Sequence, residues 1–329
     1  MTNPSPVAPL PAPVVERIAA GAFLLIDKPR GPSSHQVTAW VRDLLRVDRA
    51  GHAGTLDPNV SGLLWVGVGP ALKLIPLVLE FPKRYVGVMA LHGAVSPREI
   101  ERGIAEFTGP IFQTPPVRSA VKRERRIRTI HRLSLLEQEG NRLLLDVTAD
   151  SGTYIRSLAV DLGEAWGVGG NLEELRRIQT GPFREAASIP LTALADATAG
   201  ADRGKSDALL RLLHPLDEVW SEFPTIVLRD AAASAVAHGA DLASGGISSL
   251  PRPFGKGASV VLVTRTGALV ALGTALFASA EILGIRHGWV VDSTRVFADP
   301  ARFPAQWGRP STSDKLPGSG RNPAIERTP

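Results

Sequence analysis

Short apolar runs and amphipathic stretches follow one another along the first two thirds of the chain. Apolar or alternating patterns predict strands at residues 21–27, 63–68, 85–91 and 142–149. Helical spacing predicts helices at residues 34–45, 97–107 and 154–165, and Ser34 is the predicted N-cap of the first. Strands and helices are mixed without the regular alternation of a doubly wound sheet. The pattern predicts an α+β domain on a mixed, largely antiparallel sheet.

The pattern changes near residue 220. An Ala-, Gly- and Asp-rich stretch at residues 195–206 is expected to be a loop that closes the first domain. Beyond it we predict a strand at 225–228, a helix at 230–237, a glycine-rich loop at 239–246 and strands at 260–264 and 268–277. These short elements are typical of a small β-barrel-like module. We therefore divide the chain into an N-terminal tail (1–20, helix-like from residue 14), a large domain (21–219), a small domain (220–298) and a flexible C-terminal tail (299–329).

Composition narrows the chemistry that the chain can carry out. With 329 residues, of which 44% are hydrophobic, the chain has material for two cores, and no apolar run is long enough to span a bilayer. Cysteine is absent, so disulfides, thiolate nucleophiles and Cys-type zinc sites are excluded. Seven histidines lie without metal-ligand spacing, and the N-terminus lacks the pattern of a secretion signal. We expect an intracellular protein without metal or cofactor and without a membrane partner.

Positive charge is concentrated in one stretch. The formal charge is +5, but residues 118–132 alone carry seven basic side chains against one Glu124. The first five are predicted to contact nucleic acid, and they are Arg118, Lys122, Arg123, Arg125 and Arg126. A run of charge is usually a solvated face. Here the run is unbalanced and interleaved with apolar residues, as in a strand that lies along a phosphate backbone.

Asp57 is the candidate for catalysis that the sequence itself offers. It lies in the glycine-rich stretch 51–62, where three glycines and a proline predict a turn, and it is the only acid between Asp48 and Glu80. A carboxylate so placed suits the role of nucleophile or base. The alternative is an Asx-turn residue that hydrogen-bonds its own loop.

Several motifs in a fixed order carry a resemblance to a known family. They are Asp27-Lys28-Pro29-Arg30-Gly31-Pro32-Ser33-Ser34-His35, the stretch around Asp57, Lys83-Arg84-Tyr85-Val86, the stretch from Pro115 to Arg123, Gly152-Thr153-Tyr154-Ile155-Arg156-Ser157-Leu158, Leu175-Arg176-Arg177 and Thr180-Gly181-Pro182-Phe183. From about residue 21 to 297 the chain resembles the TruB-type pseudouridine synthases. It is most similar to the archaeal relatives of dyskerin, the catalytic subunit of H/ACA guide-RNA particles. Its C-terminal part resembles the PUA domain, an RNA-binding module.

The resemblance implies roles for particular residues. Asp57 would be the catalytic carboxylate, Arg156 the arginine that pairs with it, and Tyr85 the aromatic that stacks on the extruded uracil. Without the resemblance, Arg156 reads as a surface arginine on the first turn of a helix, and Tyr85 reads as a core aromatic on one face of a strand.

Four further residues are implied to bind the substrate. His52 would fill the space left by the base, Leu175 would form an apolar wall beneath it, and Tyr154 would pack the pocket. Lys28 would contact the substrate or, equally well, form a structural salt bridge. His52 otherwise reads as a turn histidine and Leu175 as ordinary core.

In the PUA-like part, the stretch from His238 to Leu242 resembles an RNA-gripping loop. His238 and Gly239 belong to that loop, and Arg252 and Lys256 would hold phosphates. The alternative is a glycine-rich corner of the barrel.

Three functions follow from the resemblance. The first is RNA pseudouridine synthesis guided by an H/ACA RNA, mainly on ribosomal RNA and also on tRNA. Its partners would be RNA, a zinc-ribbon-like subunit, a Gly/Arg-rich-family subunit and a kink-turn-binding protein, in the cytoplasm of an archaeal-type cell. The second is a stand-alone enzyme for the tRNA T-loop, and the third is a non-catalytic RNA scaffold. The reaction is an isomerisation and needs no cofactor.

Overall fold

A computed structural model describes residues 9–114 and 124–303. The chain divides into two compact units, Met1–Glu222 and Phe223–Pro329. Each unit has its own sheet and its own apolar core.

The first unit contains ten strands and eight α-helices among its described residues. The strands are β1 (Ala22–Lys28), β2 (Ala50–Ala53), β3 (Ser61–Val68), β4 (Lys83–Leu91), β5 (Gly109–Gln113), β6 (Arg126–Glu139), β7 (Arg142–Ala149), β8 (Gly170–Thr180), β9 (Phe183–Arg184) and β10 (His214–Pro215). The helices are α1 (Ala12–Ala20), α2 (Ser34–Leu44), α3 (Ile75–Glu80), α4 (Pro97–Glu106), α5 (Ile155–Ala165), α6 (Leu191–Asp202), α7 (Asp207–Leu212) and α8 (Asp217–Trp220).

All ten strands form one sheet, in the order β10-β1-β3-β8-β4-β7-β6-β5, with β2 added to β3 and β9 added to β8. Every pairing between these strands is antiparallel except that of β3 with β8. The parallel pair is only two residues long, joining Ser61 to Arg176 and Gly62 to Arg177. The prediction of a mixed, largely antiparallel sheet in an α+β domain is confirmed, and the short parallel pair is the seam between its two halves.

Two cores lie on either side of this seam. One gathers buried residues of α1, α2, α6 and α7 against β1 and β3, among them Val14, Val37, Leu64 and Leu194. The other packs α4 and α5 against β4, β6 and β7, with Met89, Ile100, Leu145 and Leu158 at its centre. The first unit is therefore built from two packed halves that share one sheet.

Two helices begin with a cap encoded in their own sequence. Ser33 caps α2, since its hydroxyl accepts the Gln36 N–H while the Gln36 side chain accepts the Ser33 N–H. Ser96 and Glu99 make the same reciprocal arrangement at the start of α4. The prediction of Ser34 as the cap of α2 was wrong, because the Ser34 hydroxyl is buried and bonded to both backbone groups of Leu56.

Other expectations are corrected as well. Residues 195–206 were expected to be a loop, but they lie largely in α6, where Leu194, Ala197 and Ala201 are buried. Residues 12–20 are not a tail, because α1 packs Val14 into the core of the first unit. Residues 50–53 form a strand, so the predicted turn around Asp57 is shorter than the glycine pattern indicated.

The second unit contains a six-stranded sheet and two α-helices among its described residues. The strands are β11 (Thr225–Leu228), β12 (Leu242–Ala243), β13 (Ile247–Ser249), β14 (Ser259–Val263), β15 (Leu269–Ala275) and β16 (Trp289–Val296), and the helices are α9 (Asp230–Ala237) and α10 (Ser279–Ile282). The strand order is β12-β16-β15-β14-β11-β13, in a nearly closed, barrel-like sheet around Ile226, Leu262 and Val290. The expected barrel-like module is confirmed.

The predicted C-terminal tail begins with ordered structure. Residues Pro300–Arg302 form a turn of 3-10 helix, and Phe303 packs against the core of the second unit. Residues 304–329 lie outside the described residues. Within residues 9–114 and 124–303, no helix is long and apolar enough to cross a membrane.

Candidate active site

The turn that carries Asp57 is held firmly from two sides. Strand β2 runs antiparallel to β3, and residues 54–60 connect the two. On one side the buried Ser34 hydroxyl bonds both the N–H and the C=O of Leu56, each at 2.8 Å. On the other side the Gly31 N–H donates to the Pro58 C=O at 2.8 Å. The backbone of Asp57 is thus fixed while about half of its side chain (47%) stays exposed.

Gly62 follows this turn at the start of β3, and no other residue type fits at its position. Its φ is +104°, and a Cβ there would lie 2.2 Å from the backbone oxygen of Arg177 across the seam. Only glycine allows both the conformation and the close approach of the two strands.

Arg156 meets Asp57 directly. It is the second residue of α5, and its Nη2 lies 2.8 Å from Oδ2 of Asp57. The arginine side chain is 53% exposed, so the pair faces solvent rather than the core. The guanidinium orients the carboxylate and stabilises its negative charge.

Buried cations surround this pair. Lys28 and Arg177 are 0% and 1% exposed, and Lys83 is 4% exposed. None of the three lies within ion-pair distance of a carboxylate in the described part of the chain. Backbone oxygens accept hydrogen bonds from them instead, and the charges of Lys28 and Arg177 make the region beneath the Asp57 turn electropositive.

The contacts of each cation explain how it is tolerated. Lys28 Nζ donates to the C=O of Pro29 at 2.8 Å, and burial lowers its pKa while the charge of Asp57 works in the opposite direction. Lys83 Nζ donates to the C=O of Leu79 and Phe81 at 2.8 and 2.6 Å, at the carbonyl end of α3. Burial, and then the charge of Arg177, lowers the pKa of Lys83 to about 7.

Arg177 connects this electropositive region to Tyr85. Its Nε donates to the C=O of Leu63 at 2.7 Å, and its guanidinium hydrogen-bonds the side chain of Tyr85. Burial lowers the pKa of Arg177, and the interaction with Tyr85 partly opposes this effect. The guanidinium also approaches Gly54 at the base of the Asp57 turn. Tyr85, on β4, is half-buried and reaches toward this turn through Arg177.

Leu175 and Tyr154 lie on the same side of the sheet as Tyr85. Leu175 is opposite Gly87 and packs against the core that contains Leu145 and Leu158. Tyr154 is the residue that precedes α5, and its side chain is half-buried. Leu175 is therefore part of the packing beside Tyr85, and Tyr154 lies two residues before Arg156.

His52 lies on β2 rather than in the turn. Its Nδ1 is 2.9 Å from the Thr38 hydroxyl, and the ring of His35 meets it edge-on with centroids 4.8 Å apart. Burial, followed by the charges of His35 and Arg177, lowers the pKa of His52 to about 4. The imidazole is therefore neutral at pH 7. An open groove of about 460 Å³ lies beside it, lined by His35, Thr38, Arg42, Gly51, His52 and Ile75.

The basic run leads into the hairpin formed by β5 and β6. Arg125 places its guanidinium 4.3 Å from the ring centre of Phe112, and Arg126 begins β6. Phe112 and Ile127 face each other across the hairpin and are 60% and 57% exposed. Arg118, Lys122 and Arg123 lie outside the described residues. The exposed Phe112 was missed in the sequence because it precedes the charged run.

The predicted RNA-binding residues of the second unit lie on its surface. His238 is exposed, and its Nδ1 is 2.8 Å from the C=O of Ser234. Gly239 has a φ of +93° and open space where a side chain would be. Arg252 and Lys256 are exposed on the connection that leads to β14.

Two contributors to the site were missed by sequence reasoning. Lys83 and Arg177 belong to motifs that carry the resemblance, yet their burial was not anticipated. The signal was present, since each lies within two residues of a predicted site residue (Tyr85 and Leu175). Among residues 9–114 and 124–303 no cluster of three or more His, Cys, Asp or Glu side chains is arranged to hold a metal.

Comparison with protein families identifies three segments of the chain. Residues 42–101 match the N-terminal domain of the TruB family of pseudouridylate synthases, and residues 156–221 match the C-terminal domain of tRNA pseudouridylate synthase B. Residues 224–297 match the PUA domain. Asp57 and Tyr85 fall in the first segment, and Arg156 in the second.

Similar proteins cover nearly the whole chain. A relative from Methanothermobacter thermautotrophicus named "Probable tRNA pseudouridine synthase B" is 39% identical over 307 residues, 93% of this chain and 95% of the relative. One of the same name from Methanocaldococcus jannaschii is 42% identical over 296 residues, covering 90% and 88%.

Solved structures of similar proteins also align over nearly the whole chain. The structure titled "Crystal Structure of a Cbf5-Nop10-Gar1 Complex" aligns with a TM-score of 0.83 at 39% identity, covering 92% of this chain and 93% of the other. The structure titled "Structure of H/ACA RNP bound to a substrate RNA containing 2'-deoxyuridine" aligns with a TM-score of 0.79 at 36% identity, covering 93% and 94%. The resemblance read from the motifs is confirmed: the chain belongs to the TruB family of pseudouridine synthases, enzymes that isomerise uridine in RNA, and carries a C-terminal PUA domain.

Proposed function

We propose that Asp57 is the catalytic carboxylate, that Arg156 orients it, and that Tyr85 stacks on the target uracil. The observation that carries this proposal is the 2.8 Å contact between Arg156 and Asp57, whose side chains are both about half exposed to solvent. The two residues come from opposite halves of the sheet, which argues against a merely local Asx-turn role for Asp57.

The reaction needs a fixed negative oxygen more than it needs an acid. The bond between uracil N1 and ribose C1′ breaks, the base turns, and C5 bonds to C1′ while the proton of C5 is lost and N1 gains one. Asp57 serves this sequence either by adding to the nucleoside or by removing a ribose proton, and both require an ionised carboxylate held against the sugar. Arg156 contacts one carboxylate oxygen of Asp57 at 2.8 Å and orients the group for either role.

The substrate base must leave its stack before it reaches this site. Extrusion costs a few kcal/mol, and stacking on an aromatic ring recovers about 1–3 kcal/mol. Tyr85 supplies the ring, and Leu175 and Tyr154 supply apolar packing around it. His52, which is neutral at pH 7, enters the space that the base vacates without adding charge. The ammonium group of Lys28 is bonded to backbone oxygens beneath the turn. Lys28 therefore acts through the electrostatic field of its charge and not through direct contact with the substrate.

RNA is held away from Asp57 by residues at the surface of the two units, most of them basic. We assign this role to Arg125 and Arg126 on the hairpin and to His238, Gly239, Arg252 and Lys256 on the PUA domain. Arg118, Lys122 and Arg123 are included on the basis of the sequence alone.

We propose further that the enzyme is guided by an H/ACA RNA and acts mainly on ribosomal RNA. The support is that solved structures at 36–39% identity are titled as complexes with Nop10 and Gar1 and as an H/ACA particle with substrate RNA. The same proteins, together with a kink-turn-binding protein, are the proposed partners, in the cytoplasm of an archaeal-type cell. A stand-alone activity on tRNA is the second candidate, because the curated relatives carry that name.

One assay tests these functions together. The purified protein is incubated with an unmodified tRNA transcript or a ribosomal RNA fragment, each with and without a guide RNA and the small subunits. The RNAs carry tritium at C5 of uridine, so product formation releases tritium to water. Release that requires the guide supports the first function, and release from tRNA by the protein alone supports the second. RNA binding without release under every condition contradicts both and leaves a scaffold.

A further inference from the structure

Helix α5 carries Arg156, yet its own sequence does not define where it begins. The residue before the helix is Tyr154, whose side chain makes no capping hydrogen bond. Helices α2 and α4, in contrast, each begin with a serine and a reciprocal capping partner. The first turn of α5 must therefore be positioned by another element.

Gln113 is that element. It is the last residue of β5, and it is 4% exposed. Its Oε1 accepts the N–H of Tyr154 at 3.0 Å, and its Nε2 donates to the C=O of Tyr154 at 3.1 Å. One side-chain amide thus satisfies both backbone groups of the residue that starts α5. Such a two-point contact fixes orientation as well as distance.

The other strand of the hairpin grips the same connection. Asp150, the first residue after β7, accepts the N–H of Thr129 at 3.0 Å and contacts Nε2 of His131 at 2.7 Å. The N–H of Asp150 donates in return to the C=O of Thr129 at 2.9 Å. Burial alone would raise the pKa of Asp150, but these hydrogen bonds outweigh it and lower the pKa. Both strands of the β5–β6 hairpin are therefore tied to the segment 150–154 that leads into α5.

We infer that Gln113 is a positioning residue of the reaction. By clamping Tyr154 it sets the place at which Arg156, two residues further on, meets Asp57. Because Gln113 is also part of the hairpin, the clamp ties the catalytic pair to the strand that carries Arg125 and Arg126. This inference rests on the proposed roles of Asp57 and Arg156.

The test replaces Gln113 and follows the catalytic step separately from binding. Gln113→Met keeps the size of the side chain and removes both hydrogen bonds. Gln113→Glu keeps the acceptor for the Tyr154 N–H and loses the donor. With the RNA that the unmodified enzyme converts in the assay above, we expect kcat to fall about 10- to 100-fold for Gln113→Met and less for Gln113→Glu. The KM for RNA should stay within about two-fold, and kcat is calculated per folded enzyme, because an unfolded fraction would lower the apparent kcat without changing KM.

Combining Gln113→Met with a substitution of Arg156 distinguishes positioning through Arg156 from an effect of Gln113 that is independent of it. In the variant Arg156→Ala, adding Gln113→Met should cause no further loss, because Gln113 acts through Arg156. The matched control is Gln138→Met at the far end of β6, where the side-chain amide contacts only the Gly140 C=O in an exposed position. We expect the activity of that control to equal that of the unmodified enzyme.

A structural measurement keeps the inference distinct from the proposed function. In a crystal structure of Gln113→Met, or of Gln113→Glu if the first variant does not fold, the contact between Arg156 and Asp57 should be lost. An unchanged contact would overturn the inference, as would full kcat or a multiplicative loss in the Arg156→Ala background. If the unmodified enzyme converts none of the RNAs, the proposed function fails, and the crystal structure still decides the role of Gln113.

Discussion

The proposed active site around Asp57 and the proposed RNA-binding surface of the PUA domain are built in opposite ways. In the active site, the turn is bonded on both sides, the surrounding cations are buried, and Gly62 touches the backbone of the neighbouring strand. On the PUA surface, His238, Arg252 and Lys256 are exposed, and Gly239 has open space around it. The active site fixes a few atoms for chemistry, whereas the surface offers charge and close approach to an RNA backbone without a rigid setting. The difference predicts which substitutions act on chemistry, on stability or on affinity.

The largest effect is expected in the active site, from Asp57→Asn. The amide keeps the shape of the side chain but supplies neither a nucleophile nor a base, so product formation should fall by at least roughly 10³-fold. RNA affinity should stay within a few fold, because the grip lies elsewhere. Single-turnover tritium release and filter binding measure the two quantities.

Asp48→Asn is the matched control for this change, since Asp48 is an exposed acid outside the turn. Its activity should be unchanged. Normal turnover by Asp57→Asn would remove the carboxylate from the chemistry and with it the contrast between the two regions.

Replacing one glycine in each region by alanine tests the comparison through the free energy of unfolding. Gly62→Ala meets the Arg177 backbone and also requires a positive φ, so we expect a loss of about 2–5 kcal/mol in the free energy of unfolding. Gly239→Ala has the positive φ alone and should lose about 1–2 kcal/mol. Urea unfolding of both variants measures the difference. Equal losses would show that the seam tolerates a side chain, contrary to the contact described here.

Charge reversal at Arg125 and Arg126 addresses affinity. We expect the double variant to bind RNA about 10- to 100-fold more weakly at low salt and to reduce the salt slope by roughly 0.7–0.9 per lost phosphate contact. Titrations at several salt concentrations measure both quantities. The control reverses Arg98 and Arg102, two exposed arginines of α4. A salt slope equal to that of the control would place RNA away from the hairpin.

The smallest effect concerns His52 and pH. Its folded pKa of about 4 lies below the ordinary value of 6.5, so between these values the unfolded chain binds the proton that the folded protein does not. Stability contributed by the neutral ring is therefore present above pH 6.5 and is lost as pH falls toward 4. His52→Gln should lessen this loss by about 1 kcal/mol after allowance for partial exposure, as measured by urea unfolding at pH 6.5 and 4.5. An identical pH dependence in both proteins would contradict the lowered pKa.

Local patterns explain which elements could be predicted. The strand at 63–68 is a continuous apolar run, and α4 has both helical spacing and Ser96 as its cap. Strand β8 was not predicted, because Glu174 and Arg176 form ion pairs with Arg30 and with Asp27 and interrupt any apolar alternation. Helix α6 was read as a loop, because its small residues bury a face that only the tertiary structure creates.

The site shows the same division. Asp57 and Arg156 could be named from motifs, and the structure brings them into contact. The burial of Lys83 and Arg177 and the clamp made by Gln113 depend on strands that are distant in sequence, so no local pattern reveals them. Motifs identify the side chains that react, while their supports appear only when the sheet is assembled.

The two-residue parallel pairing of β3 with β8 has a consequence for how the contact between Asp57 and Arg156 forms during folding and how it is lost. Asp57 precedes β3, and α5, which carries Arg156, packs on β8. The pair of Asp57 and Arg156 thus bridges the short joint between the two halves of the sheet, and it exists only after both halves have folded and docked. Amide hydrogen exchange at Gly62 and Arg177 should report opening of this joint. Each opening should separate Asp57 from Arg156, and so stop the reaction, while both cores remain folded.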